Sequence, residues 1–201
     1  TSVASGEWPI VLAFVSSLSI AALVAGVLML AGTKERFTKL SFGEGMVVAA
    51  GSWFLCMLLS ALPYYFSGNY LSYLDTCFDV MSGLTTTGLT LIQDLDHVSN
   101  GINMWRHLLT FVGGQGMVVL ALTFLTKGQG GAYRMYVGEA KDEKLFPNAI
   151  STAKRIWQIS LIYLAVGTVA LTISALAAGM RIDRAFLHGL WTYMSAWSTG
   201  G

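Results

Sequence analysis

The chain has 201 residues, of which 54% are hydrophobic and 11% charged, and its formal net charge is +1. An average soluble domain carries about 25% charged residues, so this deficit, spread through long apolar runs, points to an integral membrane protein. A nearly neutral chain has no electrostatic footprint for nucleic acid, and that class of partner is excluded.

Trp8 to Ala31 is almost uniformly apolar and, at about 1.5 Å per residue, long enough to cross a hydrocarbon core of about 30 Å. It is too long for the apolar part of a cleavable signal and no basic segment precedes it, so it reads as a span. Gly45 to Phe66 is the second span, closing on Pro63-Tyr64-Tyr65-Phe66, aromatic residues suited to the membrane interface. Leu74 to Leu84 is apolar but too short to cross, which predicts a re-entrant or buried half-helix. Met104 to Thr126 and Ile156 to Ala178 are two further spans, and Ala185 to Trp197 is a second short run. The fold class expected is therefore an all-α integral membrane protein built of helix–pore loop–helix units. Cys56 and Cys77 lack framework spacing and read as small buried residues rather than a disulfide.

Basic residues set the orientation. Lys34, Arg36 and Lys39 lie in one loop, and Lys127, Arg134, Lys141, Lys144, Lys154 and Arg155 in another, so nine of the twelve fall on one side. The positive-inside rule makes that side cytoplasmic. Only Arg106, Arg181 and Arg184 fall outside, together with Asp75, Asp79, Asp94, Asp96 and Asp183. Acids around an outer mouth would raise the local cation concentration. For Asp94 and Asp96, ordinary solvated loop residues is an equal reading.

Both short runs lead into small polar loops on that outer side. The first reads Met81-Ser82-Gly83-Leu84-Thr85-Thr86-Thr87-Gly88-Leu89-Thr90, and the second Met194-Ser195-Ala196-Trp197-Ser198-Thr199-Gly200-Gly201. Met81, Ser82, Thr86 and Gly88 match Met194, Ser195, Thr199 and Gly201 at one fixed offset. Converging carbonyls and threonine hydroxyls at membrane depth can replace the hydration shell of a cation. Glycine reaches backbone conformations closed to other residues, and threonine adds an oxygen and a stiff side chain. The C-terminal end of a half-helix adds partial negative charge, and Asp75 is placed to cap the N-terminus of the first. Alone, Thr85 to Gly88 also reads as a polar turn after a buried helix; its recurrence after a second half-helix favours a filter. The third long span carries Gly113-Gly114-Gln115-Gly116, where glycines suit close helix approach and Gln115 must face protein or water. Arg106, at its outer end, is placed either to snorkel or to pair with an acid such as Asp79.

With these residues in view, the chain resembles the Trk/Ktr/HKT superfamily of potassium transporters, TrkH-type subunits most closely. Ser82 to Gly88 looks like that family's first selectivity filter. Trp105-Arg106 with Phe111 to Ala121 looks like the helix that follows it. Gly130-Gly131, Tyr136, Glu139, Lys144-Leu145, Pro147 and Thr152-Ala153-Lys154 follow the linker between repeats, and Ser195 to Gly201 is similar to the second filter. The resemblance covers Lys34 to Gly201, while Trp8 to Ala31 is compatible with the extra N-terminal helices of some members. It implies one pore per subunit, made by four helix–loop–helix repeats around a pseudo-fourfold axis, and subunits paired as a homodimer. A cytosolic nucleotide-binding regulatory subunit is the implied partner, with potassium as the transported ion, no organic cofactor, and a bacterial inner membrane as the location. Backbone coordination of potassium is implied for Thr85, Thr86, Thr87 and Gly88, and for Ser198, Thr199, Gly200 and Gly201. Glycine at the Gly88 position accompanies potassium selectivity, whereas serine there is associated with sodium.

The organisation expected is an extra N-terminal helix and loop over 1–44, a first repeat over 45–126, a cytoplasmic linker over 127–155 and a second repeat over 156–201 that stops on its filter. Only two repeats are present, so the chain reads as the front part of a longer protein. Gln115 stands where relatives commonly carry an apolar residue, often methionine, and Trp197 is bulky beside the second loop. The linker is either a docking segment for the regulatory subunit or a solvated connector. The leading function is gated potassium transport, with no enzymatic activity. The alternatives are a sodium-permeable relative, a membrane enzyme, or a scaffold without a pore. The enzyme is disfavoured because His97, His107 and His188 are scattered with no metal-ligand spacing.

Overall fold

A chain segment surrounded by lipid must satisfy its own backbone polar groups, so apolar runs of this length fold as helices. The computed structural model describes residues 6–32, 42–95, 97–128 and 149–200. Its regular elements are α1 (Trp8–Gly32), α2 (Phe42–Phe66), α3 (Tyr73–Leu84), α4 (Asn100–Gly128), α5 (Ala149–Ala177) and α6 (Ile182–Ser198). Each coincides with one of the predicted long or short runs, and the protein is an all-helical membrane protein. Most of the 127–155 linker, the basic residues of the 32–44 loop, Asp96 and Gly201 lie outside the described residues.

Trp8–Gly32, Gly43–Phe66 and Ala153–Ala177 are long and apolar enough to cross a membrane, with only 11%, 6% and 11% of their most apolar stretches buried by protein. Water would not tolerate that much outward apolar surface, and lipid does. At 29 residues, α4 is also long enough to cross. Hydroxyls on these helices donate to their own backbone: Ser17 to the Ala13 carbonyl at 2.7 Å, Ser52 to Val48 at 2.7 Å and Thr172 to Thr168 at 2.7 Å. Cys77 is buried as expected, but Cys56 is exposed, and both are free thiols. The difference arises because α2 is apolar on all sides, so an apolar setting in sequence does not fix which face meets protein.

The helices fall into two compact units. The first comprises Thr1–Gly83 and Leu89–Arg106. Within it α1 lies against α2, and the Phe14 ring meets the Trp105 ring edge-on at 5.4 Å. The Trp105 indole N–H donates to the Ser60 carbonyl at 3.0 Å. Glu7, just before α1, accepts the Asn100 and Gly101 amides at 2.9 and 3.3 Å, and the Ser99 hydroxyl accepts Ile102 N–H at 3.3 Å. A carboxylate on otherwise unpaired amides complements the start of α4, which begins four residues before the apolar run.

The second unit comprises Leu84–Gly88 and His107–Gly201. Here α6 packs along α5 at two glycines. A side chain at Gly167 would fall 1.8 Å from the Tyr193 ring, and one at Gly189 would fall 2.8 Å from Thr172 Oγ1 and 3.1 Å from the Thr168 carbonyl. Trp197 stacks on Tyr163 at 5.3 Å and on Tyr193 at 6.3 Å, which accommodates its bulk. At 17 residues α6 exceeds the predicted short run, because Ile182-Asp183-Arg184 form a helical first turn outside it.

Candidate functional site

The first half-helix opens with a reciprocal cap. Ser72 Oγ accepts the Asp75 amide at 3.2 Å, and the Asp75 carboxylate accepts the Ser72 amide at 3.1 Å. Ser72 is thus the N-cap, and Asp75, expected in that position, serves from the first turn. Near the middle of α3, Asp79 is 6% exposed. Its oxygens accept the Tyr70 hydroxyl at 2.6 Å, the Thr90 hydroxyl at 2.7 Å and the Leu91 amide at 2.9 Å. Burial pushes the Tyr70 phenol well above its ordinary range, and the bond to Asp79 pushes it further, so the phenol stays protonated and donates. The fields of Asp79 and Arg106 both reach that phenol, in opposite directions, which puts the two charges in one neighbourhood.

After Leu84 the chain turns through Thr85 to Gly88. Thr86 has φ 57° and Gly88 φ 80°, both left-handed, and the Thr85 and Thr87 hydroxyls share a 2.8 Å hydrogen bond. In the second copy Thr199 has φ 54°. There Thr199 N–H bonds the Ala196 carbonyl at 3.2 Å and Gly200 N–H bonds the Ser195 carbonyl at 3.0 Å. This is the paired closure that usually has glycine in its left-handed position. Ser198 Oγ donates to the Met194 carbonyl at 2.8 Å, and Thr199 Oγ1 to the Ser198 carbonyl at 2.7 Å. Thr86 and Thr199 occupy equivalent places in the repeat and share one backbone state. A β-branched residue is rare there, and such strain persists only where surrounding structure enforces it. Sequence reasoning assigned the unusual conformations to glycine and missed them at threonine; the alignment of the two copies was the only available signal.

What enforces the state in the second unit is α4. A Cβ at Gly113 would lie 2.1 Å from the Leu84 carbonyl oxygen, and one at Gly114 would lie 3.0 Å from Ser198 Cβ and 3.4 Å from Thr86 Cγ2. A Cβ at Gly200 would fall 2.3 Å from Thr110 Cγ2. The glycine cluster therefore permits close approach, as expected, of the last residues of the two short helices, Leu84 and Ser198, and of Thr86 just beyond the first. Gln115 is 3% exposed and its side-chain oxygen accepts the Ser160 hydroxyl at 2.9 Å, so this polar residue does face protein. A cavity of about 440 Å³ lies beside both loops, with Thr86, Ser198, Thr199, Gln115, Ser160 and Trp197 in its wall. Thr85, Thr86, Thr87, Gly88, Ser198, Thr199 and Gly200 thus belong to one unit, and Gly201 lies outside the described residues.

Among the described residues, the acids expected near the outer mouth have local partners. Besides Asp75 and Asp79, Asp94 lies 2.7 Å from His97 and Asp183 lies 3.3 Å from Arg181. Both of these pairs are exposed to solvent. His107 is bound at 3.0 Å to Ser195 and stacked on Trp191 at 5.9 Å.

Two short helices ending in matched Thr/Gly turns, with Leu84, Thr86 and Ser198 lying against the glycines of α4, mark a helical membrane protein with an internal repeat. The TrkH family model, described as cation transport protein, matches residues 12–201. The chain therefore belongs to the TrkH family of cation transport proteins. It is 37% identical to a Trk system potassium uptake protein TrkH of Halomonas elongata, over 94% of this chain and 39% of that protein. It is 34% identical to an uncharacterized cation transporter of Methanocaldococcus jannaschii, over 89% and 35%, and 32% identical to TrkG of Escherichia coli, over 80% and 33%. The chain spans less than two-fifths of the length of these relatives. The family is one of transporters, not of enzymes.

Proposed function

We propose that the protein carries potassium across the membrane, and that Thr85, Thr86, Thr87 and Gly88 with Ser198, Thr199, Gly200 and Gly201 supply two of the filter loops that strip and hold the ion. The observation that carries this reading is the shared left-handed turn at Thr86 and Thr199, each within two residues of the end of a short helix, with Thr86 and the neighbouring Ser198 both lying against Gly114. Relatives named for potassium uptake support the choice of ion.

In this reading, half-helix ends and backbone carbonyls compensate the lost hydration. The membrane potential, worth about 2.3 kcal/mol per unit charge per 100 mV, drives the flux without a catalytic group. Potassium is the cargo, and oxygens of the protein are its ligands. The distribution of basic residues supports filter loops that face outward from a bacterial inner membrane. The repeats run over 45–126 and from 156 onward, joined by the cytoplasmic 127–155 linker; a homodimer and a cytosolic nucleotide-binding regulatory subunit complete the assembly. Proteoliposomes holding the full-length protein should take up potassium in strong preference to sodium, and Gly88→Ser should admit sodium. Equal potassium and sodium flux in the wild type would overturn the potassium assignment.

A further inference from the structure

We infer that Asp79 is a positioning residue for the first filter loop, fixing the limb of chain that leaves it; the inference rests on the potassium-filter reading above. Residues 84–88 are joined by the chain to Gly83 on one side and Leu89 on the other, so the geometry of the loop depends on how those two ends are held. The leaving limb is bound to α3 at three consecutive residues. Ser82 Oγ donates to the Leu89 carbonyl at 2.7 Å. The Thr90 hydroxyl and the Leu91 amide both donate to Asp79, at 2.7 and 2.9 Å. Thr90 Oγ1 in turn accepts the Ile92 amide at 3.2 Å, carrying the restraint one residue further.

The chemistry at this node requires a carboxylate. Three donors, Tyr70 from before α3 and Thr90 and Leu91 from beyond the loop, converge on two oxygens, and an ionised acid is the side chain that only accepts. An amide of the same size would turn an NH2 group toward one of those donors. Burying an acid in a half-helix is costly unless its lone pairs are used, and here they are. The helix alone does not need this residue: Thr192, at the matching place in α6, is exposed. The carboxylate is therefore particular to the first of the two half-helices.

The test uses the full-length protein in liposomes, comparing the potassium-to-sodium permeability ratio of the wild type with Asp79→Asn, Thr90→Val and Tyr70→Phe. Hydrogen exchange at the Leu91 amide is followed in the same samples. Asp79→Asn should lower the ratio several-fold and speed exchange at Leu91, and Thr90→Val should lower the ratio by less. A merely structural role would reduce yield or thermal stability and leave the ratio of the surviving protein unchanged. If Asp79→Asn and Thr90→Val fold and keep the wild-type ratio, the inference is overturned. Should Asp79→Asn fail to fold, the ratios of Thr90→Val and Tyr70→Phe decide it in the same way. A wild type that passes no potassium would overturn the filter reading and this inference with it, whereas a selective wild type with insensitive variants overturns Asp79 alone.

Discussion

Replacing Gly113 by alanine puts a methyl group where the structure has no room. The new Cβ would sit 2.1 Å from the Leu84 carbonyl oxygen and 2.6 Å from its carbonyl carbon and Cα. These are backbone atoms at the last residue of α3, so no side-chain rotation relieves the contact. Restoring an ordinary contact requires a displacement of about 1 Å or more, of either the end of α3 or the α4 backbone. Overpacking of this kind costs about 1–3 kcal/mol, and here the strain enters at the first residue before Thr85. Gly114→Ala is gentler, needing a few tenths of an ångström, but it presses on Ser198 and Thr86 together. Gly51→Ala is the control, since a Cβ there meets nothing within 4 Å and alanine favours a helix. Thermal unfolding in detergent and the potassium-to-sodium permeability ratio are the two readouts. The expected outcome is a destabilised, poorly selective Gly113→Ala, a near-normally stable Gly114→Ala with reduced selectivity, and an unchanged Gly51→Ala. If Gly113→Ala behaves like Gly51→Ala in both assays, the seating of the loops on α4 is wrong.

Replacing Thr86 or Thr199 by glycine removes a left-handed β-branched residue, so thermal stability should rise by about 1 kcal/mol each while ion preference weakens; a fall in unfolding temperature would refute the strain. Gln115→Met loses the acceptor for Ser160, whose hydroxyl keeps its 2.7 Å bond to the Ile156 carbonyl. The cost should be about 1 kcal/mol or less, measured by denaturation, with transport retained. Glu7→Ala uncovers the first amides of α4 and should cost about 1 kcal/mol, with faster hydrogen exchange at Asn100 and Gly101 as its signature.

The helices were legible because one physical quantity, apolar length against bilayer thickness, separates spans from half-helices. That criterion placed α3 and α6 as well as the long helices. It misplaced the start of α4, because a cap supplied by Glu7 from the far end of the first unit leaves no mark near Asn100. The two turns were legible as a repeated Thr/Gly pattern, and Gln115 as a polar residue that had to face protein or water. The partners were not legible. Gly113 and Gly114 announce close contact without saying what approaches. Asp79 binds Thr90 and Leu91, residues that reach it only after the loop has turned back, and no local pattern records that return. The left-handed state of Thr86 and Thr199 runs against the preference of the residue, so propensity argued the wrong way.

The central claim is that the loops at Thr85–Gly88 and Ser198–Gly201 hold a dehydrated monovalent cation. Anomalous diffraction from crystals of the full-length protein soaked in thallium, a potassium surrogate, tests it directly. A thallium peak bounded by the backbone carbonyls of these two loops, displaced by potassium and not by sodium, is the predicted result. Thallium bound elsewhere with none at the loops, or displaced equally by sodium, would contradict the account.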